Sequence, residues 1–359
     1  ARELEALTAR LGIDLAPRDE RRDHPNPEAA KAYLAVAPAI RQYVEGQLQE
    51  AGESVEAPGE AVQKFLSEHD ATLDAIVAVA TARPRISWET DVGAGFYAPT
   101  PNVLGQVRLQ LALGARALDE ARSQNPAAAL QTIQAMWTLV QSLATRPEMV
   151  SQILVQSASR MVAGLLRKVD GPATEWVERL RGRGGFESFL AALQNDAWHL
   201  AGDPEVLEAV QGMTRVQRRF VGNLAARDPC GWTRRDLDQS WKVAASGEPA
   251  EVESMATMGS ENSLDSLNRW HRHLLDAELT ALVLEARREK AASRESAWPA
   301  RLENLESSVC PGSFWGYQRS SSGDVTIVFE GRAPEVDRGL VLPLTFRSAP
   351  PPEATRAPQ

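Results

Sequence analysis

Cysteine and histidine are scarce in this chain, with two of the first and five of the second among 359 residues. That scarcity excludes a disulfide-dense scaffold and leaves little material for a cysteine- or histidine-rich metal centre. Aromatic residues are only 6% of the chain, too few for the aromatic and β-branched runs of an all-β fold. A spanning helix needs roughly 20 continuous apolar residues, and the longest apolar run, 75–82, is far shorter. Familiar chemical motifs are missing too. There is no phosphate-cradling Gly/Lys/Ser loop, no His-Glu-x-x-His, no Cys-x-x-Cys and no Gly-x-Ser-x-Gly elbow. Basic excess is absent: 39 Lys and Arg face 48 Asp and Glu, a net charge of -9. Such a surface works against binding nucleic acid or anionic membranes. The arginine clusters at 179–183 and 215–219 have no interleaved stacking aromatics, so nucleic acid is not an expected partner. No cofactor is expected either.

What is present is helical. Ala and Leu are abundant, and apolar residues recur at a 3.6-residue period along most of the chain. Residues 3–11 form a short helical pattern ended by Gly12, and Asn26-Pro27 caps and opens the next helix, with a break expected near Pro38. One amphipathic segment carries Val62, Phe65, Leu66, His69, Leu73, Ile76 and Val77 on one face and ends at Pro84. Residues 85–101, with Trp88, Phe96 and Tyr97 among glycines and prolines, read as an ordered loop.

Three helices follow, carrying Leu104 to Leu118, Leu130 to Leu143 and Val150 to Leu166, separated by Asn125-Pro126 and Arg146-Pro147. Such punctuation stops and restarts helices, and short links make neighbours antiparallel. No 34-residue repeat signature runs through them, so a tetratricopeptide array is not indicated. Later helices are expected at Trp176–Leu180, Phe186–Leu200, Val206–Leu224, 233–245 and 263–288, with 247–261 polar and flexible. Residues 314–318, 324–329 and 340–346 read as strands, the last an edge strand because of Pro343. The expected fold is therefore mainly α: an irregular helical bundle or solenoid-like array of antiparallel helices with a small C-terminal antiparallel β-sheet. Residues 1–58 form N-terminal helices and loops, 59–297 the main helical domain, 298–348 a β-rich segment packed on it, and 349–359 a disordered tail.

Candidate chemistry is sparse. His271 and Glu278 lie on a similar bearing of one helix, where a carboxylate could orient an imidazole. Asp196 and His199, three apart beside Trp198, could touch on another. Each pair is also what a packed structural histidine looks like. His273 points about 200° from His271 and is expected in solvent. Trp232, Trp241, Trp270, Trp298, Trp315 and Tyr317 crowd the last third. They pack the sheet on the helices, present a surface to another protein, the expected partner, or line a ligand pocket. Cys230 and Cys310 would close a loop of 80 residues if bridged, worth roughly 4 kcal/mol by chain entropy. A bridge implies export; free thiols imply the cytosol. The chain opens on Ala1 rather than Met, and a start Met, a leader or an N-terminal anchor is expected upstream.

Trp298-Pro-Ala-Arg-Leu-Glu-Asn-Leu305, Cys310-Pro-Gly-Ser-Phe-Trp-Gly-Tyr317 and Gly323-Asp-Val-Thr-Ile-Val-Phe329 resemble the C-terminal part of a loose group of uncharacterised bacterial cell-envelope helical proteins. In that group an aromatic-Pro-x-x-Leu-x-x-Leu helix leads into an Asp-Pro-x-Ser-Gly loop and a small sheet, a pseudopilin-like arrangement. Pro299, Leu302, Leu305, Pro311, Gly312 and Tyr317 match; Cys310 stands in place of Asp, and Gly312-Ser313 reverses the Ser-Gly order. The resemblance implies a periplasmic, envelope or secreted location and supplies no catalytic residues. Three functions follow as expectations: an envelope scaffold or protein-interaction protein without catalysis, a hydrolase using a histidine–carboxylate site, or a helical protein binding a small molecule or lipid.

Overall fold

A computed structural model describes residues 1–16, 24–82, 86, 88, 102–144, 146, 148–170, 174–182, 184–195, 207–225, 230, 233–334, 336 and 341–348. Among them are twelve helices and three strands: α1 Arg2–Arg10, α2 Pro27–Gln49, α3 Glu60–Glu68, α4 Asp70–Ala82, α5 Val103–Arg122, α6 Pro126–Ala144, α7 Met149–Lys168, α8 Thr174–Arg181, α9 Gly184–Asn195, α10 Leu207–Ala225, α11 Arg234–Ala245, α12 Ala250–Ala292, β1 Phe314–Arg319, β2 Val325–Glu330 and β3 Thr345–Arg347. The mainly α architecture read from the sequence is the architecture found.

Local chemistry sets the boundaries. Asn26 accepts from the Ala29 amide at 3.1 Å, and Asn102 accepts from that of Gly105 at 3.0 Å, each relieving an orphan donor of the first turn. Thr233 and Asp236 form a capping box at the start of α11. Gln124 takes a left-handed φ of 57° between α5 and α6, so the chain reverses in three residues. Pro38 lies inside an unbroken α2, and the stripe 62–77 is two helices, separated at His69.

Helices α5, α6 and α7 pack on one another, and α7 lies against α12. By length and mean hydropathy α7 could cross a membrane, but 78% of that window is buried inside the fold. The C-terminal end of α7 is held by charged side chains from elsewhere. Arg287 of α12 donates to the carbonyls of Leu166, Arg167 and Val169 at 2.9, 2.7 and 2.6 Å. It therefore satisfies acceptors that the helix cannot satisfy itself. Lys168 reaches the carbonyls of Glu50 and Gly52 at 3.1 and 2.5 Å, tying the loop after α2 to the same end.

The greatest departure from the sequence reading is α12, which runs 43 residues from Ala250. The stretch 247–261, expected to be flexible, is helical from its fourth residue onward. Close packing explains part of this: a side chain at Gly212 of α10 would lie within 2.7 Å of Val252, so only glycine lets the two helices approach this way. Farther along, α12 serves two cores. Leu267, Trp270, Ala277, Ala281 and Leu284 belong to the helical core; Leu275, Leu279, Leu282, Val283 and Ala286 pack under the sheet.

The sheet is antiparallel in the order β1-β2-β3, with Trp315 opposite Phe329 and Ile327 opposite Phe346. The third strand is shorter and later than expected. Pro343 donates nothing to a ladder, and the carbonyls of Leu342 and Pro343 accept instead from Arg272 at 2.8 Å and Arg167 at 3.2 Å. Residues 298–305 are not helical, which departs from the helix that the resemblance implied. They run irregularly, with Trp298 and Leu302 buried under the sheet and Asn304 at φ 56°.

Cys230 and Cys310 are joined, their Cα atoms 5.3 Å apart, within the range a disulfide spans. The bridge pins the chain after α10 to the loop before β1. Measured effects of such crosslinks are commonly about 2–4 kcal/mol. Cys230→Ser with Cys310→Ser is therefore expected to lower stability by that amount in urea unfolding, without shifting the helical circular dichroism signal of the folded state.

Candidate functional site

The proposed histidine–carboxylate pair on α12 is not brought together. Seven residues along one helix place His271 and Glu278 about 10 Å apart along its axis. Glu278 is engaged elsewhere: its carboxylate accepts from Ser307 Oγ and the Ser308 amide at 2.6 Å each, and from Trp315 Nε1 at 2.9 Å. It fixes the loop before β1 onto α12. His271 is 2% exposed, and burial alone pushes its imidazole down to about 3. Asp196, His199 and Trp232 lie outside the described residues. Among those described, no three His, Cys, Asp or Glu side chains converge as a metal site.

The late tryptophans among the described residues are interior. Trp241, Trp270, Trp298 and Trp315 are all buried. Trp241 stacks edge-on against Phe220, Trp298 meets Phe346, and Trp315 meets Phe329. Tyr317 is partly exposed and donates its hydroxyl to the Pro299 carbonyl at 2.7 Å. The arginine cluster near 215–219 is partly neutralised, because Arg215 and Arg219 bracket Glu248 at 2.6 and 2.9 Å.

His273, expected in solvent, is 8% exposed and stacks edge-on against Trp270 with ring centres 5.2 Å apart. His271, on the opposite bearing, is buried as well, so α12 is covered on both sides at this level and both bearings lead inward. Burial, reinforced by the Arg160 charge, pushes the His273 imidazole down to about 3. It is neutral at physiological pH, and its Nδ1 has no hydrogen-bond partner among the described residues.

Next to it lies a buried ionic group. Arg160 of α7 donates to Asp276 of α12 through Nε at 2.9 Å; the Asp276 side chain is fully buried. Arg167 and Arg272 also act on that carboxylate. Burial pushes the Asp276 carboxyl up and the three guanidiniums pull it back down. Among the described residues, the nitrogens Arg160 Nη2, Arg167 Nη2 and Arg272 Nε make no hydrogen bond.

His273 also lines a cleft of about 300 Å³ at the meeting of α6, α7, α8, α9 and α12. Trp137 and Trp270 supply aromatic surface; Leu180, Leu274 and Ala277 supply apolar surface; Gln141, Ser159 and Arg179 add polar groups. Trp137 meets Trp176 edge-on at 6.0 Å, and the Arg179 guanidinium sits 4.9 Å above Trp176 while donating to Gln134 Oε1. Its direction is set before anything binds.

Two other hollows are less apt. One of about 570 Å³ lies between α2 and α3, where Tyr43, Gln47 and Glu56 already bond one another. Another of about 350 Å³ has Glu278 in its wall, with both carboxylate oxygens engaged as above.

No match comes from protein-family models, curated proteins or solved structures. The chemistry of the cleft therefore has to be read from its own residues. An apolar hollow with a few convergent polar groups is the usual form of a small-molecule site, and about 300 Å³ accommodates one or two fused rings.

Proposed function

We propose that this chain is a non-enzymatic binding protein that holds one small molecule between α6, α7, α8 and α12, and that it works in an oxidising compartment, the cell envelope or outside the cell. The observation that carries the binding role is the pairing, in one cleft, of the partly exposed Trp137 ring with the Arg179 guanidinium, which forms no ion pair among the described residues. Burial of Trp241, Trp270, Trp298 and Trp315 favours this reading over a scaffold that presents those rings to another protein. The cysteine pair and the C-terminal resemblance support the compartment.

The test is ligand capture. Native mass spectrometry of protein purified from its source should show a retained small molecule or, failing that, a fragment screen should find compounds that quench tryptophan fluorescence. Trp137→Ala is expected to weaken binding about tenfold, roughly 1.4 kcal/mol, at temperatures where circular dichroism shows the variant folded, since loss of its contact with Trp176 also lowers the unfolding midpoint. Stoichiometric co-purification with another protein, and hits indifferent to Trp137→Ala, would support the scaffold instead. Two rapidly alkylated thiols under non-reducing conditions would count against the compartment.

A further inference from the structure

We infer that the cleft takes an organic anion, a carboxylate carried on a flat apolar body, with Arg179 as its ionic partner and His273 as a second donor. This rests on the reading of the cleft as a binding site and adds the class of ligand.

Charge distribution points there first. The chain carries a net charge of -9, yet the described residues lining the cleft include Arg179 and His273 and no aspartate or glutamate. Behind His273 the imbalance deepens, since Arg160, Arg167 and Arg272 share the single carboxylate of Asp276. The surroundings of His273 thus carry excess positive charge in a poorly screened interior. A cationic ligand would be repelled there and a neutral one would leave the field unused.

Donor geometry points the same way. Arg179 is half-buried, forms no ion pair among the described residues, and is oriented by the Trp176 ring and by Gln134. A guanidinium held in this way is suited to a planar carboxylate. His273 is uncharged in the free protein and flanked by Arg160, so it offers an N–H rather than a second full charge. One cation plus one neutral donor matches a monoanion better than a dianionic phosphate. The flat apolar body follows from Trp137, whose partly exposed ring in the cleft can stack on a planar group.

Matched probe pairs test this: naphthoate against naphthamide, and benzoate against benzamide, titrated by tryptophan fluorescence and calorimetry into the disulfide-intact full chain. Naphthoate should bind about tenfold more tightly than naphthamide, and added salt should narrow the gap. Arg179→Gln should abolish the preference by weakening naphthoate alone, with an unchanged affinity for naphthamide as the control for folding. Equal affinity for acid and amide, both lowered by Trp137→Ala, would overturn the anion assignment and leave the cleft as a binding site. A carboxylate preference untouched by Arg179→Gln would overturn the assignment of Arg179. Failure of all four probes at millimolar concentration would overturn the cleft reading and this inference together.

Discussion

Asp276→Asn should destabilise the folded chain by about 3–5 kcal/mol, the usual result of removing one partner of a buried ion pair. The substitution keeps the side-chain volume but leaves Arg160, Arg167 and Arg272 with no negative charge among them. Total stability of such a domain is only about 5–15 kcal/mol, so the variant would lie near the threshold of folding at 37 °C. Urea unfolding at neutral pH reads the effect directly. The double variant Arg160→Met with Asp276→Asn should recover a large part of the loss, because it also removes a guanidinium that would otherwise be buried unpaired. If Asp276→Asn alone were neutral, the carboxyl would already be protonated in the native state and the ion pair would not exist.

Acidification gives the second large effect. His271 and His273 are held near 3 in the folded protein against about 6.5 in an unfolded chain. Between those values the unfolded chain binds more protons, so stability is full above about 6.5 and falls as pH drops toward 3. At pH 5 each histidine costs about 2 kcal/mol, and the pair about 4 kcal/mol. Unfolding free energies measured at pH 7.5, 6 and 5 should show that slope. Replacing both histidines with glutamine should flatten it, even if the double variant is less stable at neutral pH.

These effects concern residues whose roles were only partly legible in the sequence. Helices α5 to α7 could be read closely because Asn125-Pro126 and Arg146-Pro147 punctuate them and their apolar stripes keep one period. The β1–β2 hairpin was legible for similar reasons, through its alternating residues and the turn at Gly323 (φ 90°). The early part of α12 was not. Its polar residues and Gly259 weaken a helical reading, while its packing on α10 and α11, as at Gly212 against Val252, leaves no mark in its own periodicity. Tertiary packing outweighed local preference.

His273 shows the same limit at a single residue. Helical spacing alone would send it to solvent, because nothing local announces that α12 is covered on two sides. A hint did exist: Asp276 and Thr280 stand among Leu275, Ala277, Leu279, Ala281 and Leu282, and polar residues inside so apolar a run often have buried partners. The partner of Asp276, Arg160, is 116 residues away, which no spacing argument reaches. The cleft was illegible for a related reason. Trp137, Ser159, Arg179 and His273 sit on four different helices, and each alone looks like ordinary core or surface.

The most direct measurement of the central claim is nitrogen-detected NMR of the imidazole rings, following His273 at pH 6 as naphthoate is added. The free protein should show a neutral His273 ring, and naphthoate should shift its nitrogen resonances while leaving His24 and His69 unchanged. A charged His273 ring in the free protein at that pH, or saturable binding of naphthoate that leaves His273 undisturbed, would contradict it.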